Sequence, residues 1–159
     1  MSKMRVHNLL TPEMVILELG SVTRDDLIKE MVGYLKKKNK INKEKELTEK
    51  LLQREDLGST AIGDGVAIPH CKMKGITNPI VMLSVSRNGV DFQSLDGEPS
   101  HLFFLVVSSP ENPSVNLQIL AAIAQLVRKA ERVKERILGA ENAQKVLEVI
   151  RDEEEHLDE

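Results

Sequence analysis

One histidine, His70, closes a stretch of the chain that is rich in glycine and in small hydroxyl residues. Residues 66–68 are apolar and predict a short buried strand, and Pro69 is expected at its end because proline cannot donate a ladder hydrogen bond. His70 is therefore predicted on a loop just past a strand, where catalytic groups are often found. Three nearby glycines predict a loop whose backbone adopts conformations or close contacts that a Cβ would block: Gly58, Gly63 and Gly65.

Other chemistries fit this stretch less well. Residues 58–63 have the glycine spacing of a Walker A loop, but Asp64 and Gly65 stand where the phosphate-binding lysine and the magnesium-binding hydroxyl would be. His70 and Cys71 could both bind zinc, yet adjacent residues of an extended chain point to opposite sides, and the sequence has no second pair at ligand spacing. A serine nucleophile elbow is also absent. We therefore expect no metal site and interpret His70 as a nucleophile.

The run from Arg54 to His70 reads R-E-x-L-G-S-T-x-I-G-x-G-x-A-I-P-H. It resembles the active-site segment of the fructose/mannitol-type enzyme IIA domains of the phosphoenolpyruvate-dependent sugar phosphotransferase system, a family that includes the nitrogen-regulatory enzyme IIA proteins. The resemblance extends over most of the chain, including the strand, loop and helix pattern of residues 79–126. It implies that His70 carries a phosphoryl group and that Arg54 lies near it. Cys71 is a departure, since the family usually has glycine after the histidine.

The implied reaction has definite physical requirements. A histidine side chain has an ordinary pKa of about 6.5, so it offers an unprotonated nitrogen near neutral pH. The transferring phosphoryl group spreads charge over three oxygens, for which Arg54 would supply a guanidinium and Ser59 and Thr60 hydroxyls. Alternatively, Arg54 is a surface cation at a helix end, and the two hydroxyls only satisfy the loop backbone. Transfer between side chains of carrier proteins requires no cofactor.

A second departure from the family concerns Asn116. Relatives commonly carry a second histidine near the start of the helix that follows the long apolar strand, and matching Leu117 and Leu120 places Asn116 at that position. An amide can hydrogen-bond an imidazole or phosphoryl oxygens, but it cannot become a cation. We predict that Asn116 lies within hydrogen-bonding range of the site. The alternative, that Asn116 is a helix-start residue without a role in the site, remains open.

The elements that would position these residues alternate between strands and helices. Residues 14–19 form an apolar run and predict a first, mostly buried strand. Ser21 or Thr23 is expected to open a helix, and Thr23 with Asp26 three residues later has the spacing of a capping box. Asn42 is expected to cap a second helix over about residues 43–55, which would deliver Arg54 to the glycine-rich loop.

Further strands are predicted in the middle of the chain. Residues 80–85 predict a strand, and Asn88-Gly89 is the dipeptide that a type I′ hairpin turn prefers, so a returning strand is expected through Val90 and Phe92. A second turn is expected at Asp96-Gly97. Residues 102–107 are the most apolar run of the chain and predict a central strand.

The remainder is expected to be helical. The first helix is predicted from Val115 to about Arg128, and Gly139 is expected to separate the two helical segments that follow. The acidic run 153–159 predicts a frayed tail without function. The inward face predicted for the first helix consists of Leu117, Leu120, Ala121, Ala124 and Val127.

These elements predict an α/β protein of one domain, with a mixed parallel/antiparallel sheet flanked by helices, over residues 1–152 with an acidic tail at 153–159. The chain has 159 residues and a formal net charge of −3, which argues against a general nucleic-acid binder. It has one cysteine, no secretory leader and no apolar run of membrane length. We therefore expect a cytoplasmic location without direct membrane insertion.

The resemblance implies a phosphocarrier of the phosphotransferase system. His70 would accept a phosphoryl group from the histidine-containing phosphocarrier protein and pass it to a cysteine of an enzyme IIB domain for sugar uptake. The alternative is a nitrogen-regulatory enzyme IIA-like protein whose phosphorylation state controls its binding to regulatory partners. A lone domain fits either function.

Overall fold

The computed structural model describes residues 4–157. The strands are β1 (Val15–Ile16), β2 (Ala61–Gly63), β3 (Val66–Ala67), β4 (His70–Lys72), β5 (Ile80–Val90) and β6 (Ser100–Ser108). The α-helices are α1 (Arg24–Lys37), α2 (Glu44–Asp56), α3 (Pro113–Leu126), α4 (Ala130–Leu138) and α5 (Ala143–Leu157). None of these helices is both long enough and apolar enough to cross a membrane.

The strands form one sheet in the order β1-β5-β6-β3-β2, with β4 also paired to β6. Strand β6 runs antiparallel to β5 and parallel to β3 and β4, whereas β1 is parallel to β5 and β2 is antiparallel to β3. The predicted mixed sheet in one α/β domain is therefore confirmed. The apolar run 102–107 is fully buried in the central strand β6, as predicted from its continuous hydrophobic pattern.

Strands β3 and β4 follow β6 in the same register. Val66 pairs with Leu102, and His70 pairs with Val106. Between them, the Pro69 carbonyl accepts a hydrogen bond from the Val106 N–H at 2.9 Å. Pro69 thus interrupts the two strands without moving the chain away from β6, because its carbonyl still takes part in the ladder.

Helices cover both faces of the sheet. Cys71 of β4 lies near Lys50 of α2, whereas Ser108 of β6 is hydrogen-bonded to Asn116 of α3. Cys71 is paired with Val107, the residue before Ser108, and successive residues of a strand point to opposite faces. Helices α2 and α3 therefore lie on opposite faces, and the site residues on the two helices approach the sheet from different sides.

The predicted N-terminal cap of α1 is confirmed, but that of α2 is wrong. The hydroxyl of Thr23 accepts a hydrogen bond from the Asp26 N–H at 3.3 Å at the start of α1. Helix α2 begins at Glu44, so its cap position is Lys43, which has no side-chain capping bond. Asn42 lies one residue too early to cap this helix.

Strand β1 is shorter than the run 14–19 predicted. It contains only Val15 and Ile16, because a 3-10 turn at Pro12–Met14 precedes it, and after it the chain keeps only isolated contacts with β5, such as the bond from the Leu19 N–H to the Val85 carbonyl at 3.4 Å. The N–H groups of Gly20 and Ser21 donate to the carboxylate of Glu30 rather than to a neighbouring strand. Polar partners on α1 thus replace the sheet ladder at this point.

The hairpin predicted at Asn88-Gly89 is wrong. The dipeptide lies inside β5, whose register against β6 shifts between Val85 and Val90, so the chain forms a bulge there. Gly89 has a φ of 86°, and a Cβ added to it would lie 2.8 Å from the Pro99 Cβ. The dipeptide Asn88-Gly89 therefore forms part of a bulge, with Gly89 supplying the positive φ, rather than a hairpin turn. The predicted turn at Asp96-Gly97 does form within the connection to β6, with the Gly97 N–H donating to Ser94.

Helix α3 presents a different inward face from the one predicted. Leu117 is 66% exposed, and Ala121 and Ala124 are exposed as well, although Val127 is buried as expected. Apolar residues surround much of this helix, so periodicity alone does not decide its rotation. The buried bond between Asn116 and Ser108 belongs to the face that the structure selects. The buried residues of that face are Asn116, Ile119, Ala122, Ile123 and Leu126.

The prediction of a frayed tail from residue 153 is wrong for residues 153–157, which continue α5 to Leu157. Glu153 is buried and accepts hydrogen bonds from Arg132 and Arg136 of α4, both at 2.7 Å. These cations compensate the buried carboxylate and stabilise the last turns of the helix. Residues 158 and 159 lie outside the described part of the chain.

Glu154 links the C-terminal helix to the start of the chain. Its side chain is 1% exposed and accepts the backbone N–H groups of Val6 at 2.7 Å and of His7 at 2.8 Å. It also contacts Nδ1 of His7 at 2.8 Å. One carboxylate therefore satisfies the first two N–H groups of the 3-10 helix Val6–Asn8, which have no acceptor within that short helix.

Replacement of Glu154 by alanine is expected to destabilise the protein. The change leaves the buried N–H groups of Val6 and His7 without their acceptor, which costs about 1–3 kcal/mol in the free energy of unfolding. Urea denaturation measures this loss. Glu155→Ala, one residue further on and exposed, is the matched control and should change stability little; equal stabilities for the two variants would contradict the proposed role of Glu154.

Candidate functional site

His70 is the first residue of β4 and is half-buried. The prediction that it lies on a loop is wrong, because the chain rejoins β6 directly after Pro69. Its Nδ1 lies 2.7 Å from the carbonyl oxygen of Ile68. A carbonyl can only accept a hydrogen bond, so Nδ1 carries the proton in the neutral ring and Nε2 holds the free lone pair. The backbone two residues earlier thus orients the ring and selects its tautomer.

Asn116 approaches the same face of the sheet as His70. It is 7% exposed, and its Oδ1 accepts a hydrogen bond from the hydroxyl of Ser108 at 2.8 Å. Ser108 lies two residues beyond Val106, the strand partner of His70, so the two positions share a face and are about 7 Å apart along the strand. Since Ser108 occupies Oδ1, the donor side of the amide is Nδ2, which carries two N–H groups.

Arg54 lies in the last turn of α2, and its guanidinium donates to the carbonyl of Gly58 at 2.8 Å. The Ile68 N–H donates to the Thr60 carbonyl at 3.0 Å, next to the antiparallel ladder of β2 and β3. In such a ladder, the residues before Thr60 and those after Ile68 leave at the same end. His70 therefore lies at the same end of the ladder as the loop that Arg54 holds. Within residues 4–157, no hydrogen bond joins Arg54 to His70 directly.

The hydroxyls of Ser59 and Thr60 bond the loop to the residues packed around it. Ser59 donates to the Phe92 carbonyl at 2.5 Å and accepts from the Ala61 N–H at 3.0 Å. The Thr60 hydroxyl donates to Glu55 at 2.6 Å. These contacts fit the alternative in which the two residues shape the backbone, because both hydroxyl protons already have acceptors.

Glu55 supports the loop beside the candidate site, and the sequence did not predict this role. It is 3% exposed and accepts both the N–H of Thr60, at 3.0 Å, and its hydroxyl. Burial raises the pKa of Glu55, against the hydrogen bonds from Thr60, which favour the ionised form. The burial of Glu55 could have been predicted from the sequence, because Glu55 follows Leu47 and Leu51 at intervals of four and so belongs to the inward face of α2.

Cys71 points away from His70, because the two are successive residues of β4. Burial raises the pKa of its thiol to about 12, so the side chain stays protonated near neutral pH. The residues described contain no group of three or more histidine, cysteine, aspartate or glutamate side chains that could hold a metal ion. Cys71 is thus a partly buried residue that packs against the core beside the site.

Comparison with known proteins identifies relatives over almost the whole chain. A family model described as "Phosphoenolpyruvate-dependent sugar phosphotransferase system, EIIA 2" matches residues 8–153. The fructose-specific EIIABC component of Bacillus subtilis is 34% identical over 92% of this chain, which spans only 23% of that protein. A nitrogen regulatory protein of Pseudomonas aeruginosa is 28% identical, and the match covers 93% of this chain and 96% of that protein.

The fold is similar to that of a solved relative. The crystal structure of nitrogen regulatory protein IIA-Ntr from Neisseria meningitidis superposes with a TM-score of 0.82 at 24% identity. The superposition covers 91% of this chain and 98% of the other. This likeness establishes that the arrangement of helices and sheet is common to both proteins.

The raised pKa of Glu55 predicts a pH dependence of stability. The folded protein holds the Glu55 proton more tightly than the unfolded chain, whose reference pKa is 4.5. This contribution is present below that pKa and is lost as the pH rises through the higher folded value. Glutamine does not titrate, so Glu55→Gln removes this pH-dependent loss of stability. Between about pH 4 and 7, the free energy of unfolding should therefore fall less in Glu55→Gln than in the unmodified protein.

The measurement is urea denaturation across this range, with Glu49→Gln as the control, since Glu49 is exposed on the same helix. The control should follow the unmodified protein. If Glu55→Gln followed it as well, Glu55 would not titrate differently in the folded state.

Proposed function

The chain belongs to the EIIA 2 family of the phosphoenolpyruvate-dependent sugar phosphotransferase system, and on this premise we propose that His70 is its phosphoryl-carrying residue. Membership of the family supports a phosphocarrier role in general. In the specific reaction proposed, the histidine-containing phosphocarrier protein donates the phosphoryl group to His70. An enzyme IIB cysteine then accepts it for sugar uptake.

The hydrogen bond between His70 Nδ1 and the Ile68 carbonyl carries this proposal. With the proton on Nδ1, Nε2 attacks phosphorus with its lone pair while the nitrogen–phosphorus bond of the donor breaks. In the second transfer, a sulfur–phosphorus bond forms on the acceptor cysteine as the bond to Nε2 breaks. The Ile68 carbonyl stabilises the N–H of the ring throughout. No cofactor is required, because the phosphoryl donor and acceptor are both protein side chains.

The surrounding residues would stabilise the charge of the phosphoryl group. Arg54 brings a permanent positive charge to the end of the ladder where His70 lies, and a guanidinium can donate to two phosphoryl oxygens at once. Asn116 would donate through Nδ2 from the α3 side of the sheet. Ser59 and Thr60 support this arrangement by holding the loop that carries the Gly58 carbonyl, the acceptor of Arg54.

A regulatory function is the second candidate. The nitrogen regulatory protein of Pseudomonas aeruginosa matches 93% of this chain, and the match covers 96% of that protein. In this alternative, the state of His70 controls binding to regulatory partners, because phosphorylation adds up to about two negative charges. Transfer from the phosphorylated protein to isolated enzyme IIB domains distinguishes the two functions, since only the transport function requires it.

Phosphorylation of His70 is tested with phosphoenolpyruvate and the two general proteins of the phosphotransferase system. Intact mass should show one acid-labile, base-stable phosphate, and His70→Ala should abolish it. The matched control is His101→Ala, since His101 is also half-buried with its Nδ1 bonded to a backbone carbonyl, at 2.9 Å. Labelling that persists in His70→Ala, or disappears in His101→Ala, would reject the assignment.

Asn116 is tested through the rate of phosphoryl transfer. Asn116→Ala removes one donor to a charged group, worth about 1.5–3 kcal/mol, so transfer should slow about ten- to hundredfold. Asn116→His should be tolerated and should make the rate depend on pH between about 5 and 8, where histidine changes charge. The exposed Asn112, just before α3, provides the control Asn112→Ala. Unchanged rates in both Asn116 variants across this range would eliminate a role in the site.

A further inference from the structure

A lysine lies on the same face of the sheet as His70. Strand β4 consists of His70, Cys71 and Lys72, and residues two apart in a strand share a face. His70 and Lys72 are therefore neighbours on that face, with their Cα atoms about 7 Å apart along the strand. Cys71 lies between them and faces α2 instead, where Lys50 is close to its thiol.

The pairing with β6 shows which face this is. Lys72 pairs with Ser108. Paired residues of adjacent strands stand on the same face, about 4.8 Å apart. The Ser108 hydroxyl donates to Oδ1 of Asn116 at 2.8 Å, so this face is the one that α3 covers. Lys72 and Asn116 thus approach the surroundings of His70 from β4 and from α3.

The ammonium of Lys72 is free to bind a ligand. Its side chain is exposed, and within residues 4–157 it forms no hydrogen bond and no ion pair. Arg54, by contrast, already donates to the Gly58 carbonyl at 2.8 Å. Asn116 is an amide and brings no charge. Lys72 therefore offers a positive charge on the face where Asn116 cannot supply one.

The orientation of the His70 ring brings a phosphoryl group within reach of this ammonium. Nδ1 is turned back to the carbonyl of Ile68, two residues earlier, so Nε2 lies on the side of the ring away from Ile68. Lys72 lies two residues after His70, in the other direction along the chain. A lysine side chain carries its ammonium about 6 Å from the Cα on a flexible stem. Its three N–H donors can therefore contact the oxygens of a phosphoryl group on Nε2.

We propose that Lys72 is a further catalytic residue, whose ammonium donates hydrogen bonds to the phosphoryl oxygens while the group moves to and from Nε2 of His70. This inference rests on the proposed function of His70. The nitrogen–phosphorus bond of the donor breaks as the bond to Nε2 forms, and Lys72 keeps all its protons throughout. Its charge is opposite to that on the three oxygens of the loose transition state, so it lowers the barrier to transfer.

An exposed lysine can also act only during encounter with a partner. A charge that merely steers an acidic partner changes the rate at low partner concentration, and its effect is lost at high salt. A charge that contacts the phosphoryl group in the transition state changes the maximal rate at saturating partner. The dependence of the rate on partner concentration therefore separates the two roles.

The test is single-turnover transfer from the phosphorylated histidine-containing phosphocarrier protein, measured over a range of donor concentrations. Lys72→Met removes the charge from an unbranched side chain, and the maximal rate should fall about tenfold or more, because one donor to the transferring group is lost. The donor concentration that gives half the maximal rate should change less than about twofold. Lys72→Arg keeps a cationic donor and should retain most of the rate.

A second measurement does not depend on the rate. In the phosphorylated protein, the phosphorus NMR resonance of the phosphohistidine should shift in Lys72→Met, because the oxygens lose an adjacent ammonium. Removal of a lysine that only steers the partner would leave this resonance in place.

Two other lysines near β4 provide matched controls. Lys50 lies beside Cys71, on the opposite face of the strand. Lys74 lies in the turn after β4, where it lines a cavity with Lys40 and Lys43 beside the start of α2. Lys50→Met and Lys74→Met remove the same charge from places outside the α3 face. Both variants should keep the maximal rate and the phosphorus resonance of the unmodified protein.

Equal maximal rates for Lys72→Met and the two controls would overturn the proposal. So would an unchanged maximal rate with a higher half-maximal donor concentration, since Lys72 would then act only in the encounter. A slower Lys72→Met with an unmoved phosphorus resonance would reject direct contact with the phosphoryl group. A rate in Lys72→Arg as low as that in Lys72→Met would show that the positive charge is not what the site requires.

The proposed function fails separately from the role of Lys72. Absence of labelling at His70 in the unmodified protein would reject the phosphoryl transfer itself. Normal labelling at His70, with the same maximal rate in Lys72→Met, would reject the role of Lys72 alone.

Discussion

Strand β6 sets the position of the residues proposed for the site. It pairs with β5 on one side and with β3 and β4 on the other, and its apolar residues 102–107 are fully buried. Because β3 and β4 share one register against β6, the break at Pro69 does not shift His70 relative to Val106. Two residues along, Ser108 of the same strand holds Asn116. A slip of β6 by one residue would turn these side chains to the other face.

Buried carboxylates organise the irregular parts of the fold. Glu55 accepts two hydrogen bonds from Thr60 in the loop before β2, and Glu154 accepts the backbone N–H groups of Val6 and His7 near the start of the chain. In both places the chain has no strand or helix partner for these donors, and an unsatisfied buried donor is costly. A side-chain acceptor on a neighbouring helix solves the same problem in each case.

The sequence predicted those elements whose signals are local and unambiguous. The long apolar run gave β6, the Thr23 cap gave the start of α1, and Gly139 marks the end of α4. Predictions failed where one local pattern fits two structures. Asn88-Gly89 suits a bulge as well as a hairpin, since both use positive φ, and only the pairing with β6 decides between them.

The candidate site shows the same division between local and long-range information. The motif predicted His70 and Arg54 as site residues. It did not predict that His70 lies in the short strand β4 with its ring oriented by the Ile68 carbonyl, because β4 forms only by pairing with residues 36 positions later in the chain. The inward face of α3 was wrong because apolar residues lie on several sides of that helix, and Leu117 is exposed. The roles of Glu55 and Glu154 were not predicted, because the hydrogen-bond donors that each buried carboxylate accepts are brought to it only by folding.

The geometry of His70 imposes a common requirement on the transport and regulatory functions. The ring is fixed by its own backbone rather than by a side chain of a neighbouring element, so its orientation does not depend on a partner being bound. In the proposed reaction, a phosphoryl group on Nε2 would add up to about two negative charges at the half-buried His70. That change alters the electrostatic attraction of any partner that docks nearby, whether the partner accepts the phosphoryl group or only responds to it. The two functions therefore differ in the chemistry of the partner's contact face. A transport partner must present a cysteine thiolate to the phosphorus atom, whereas a regulatory partner needs no such acceptor.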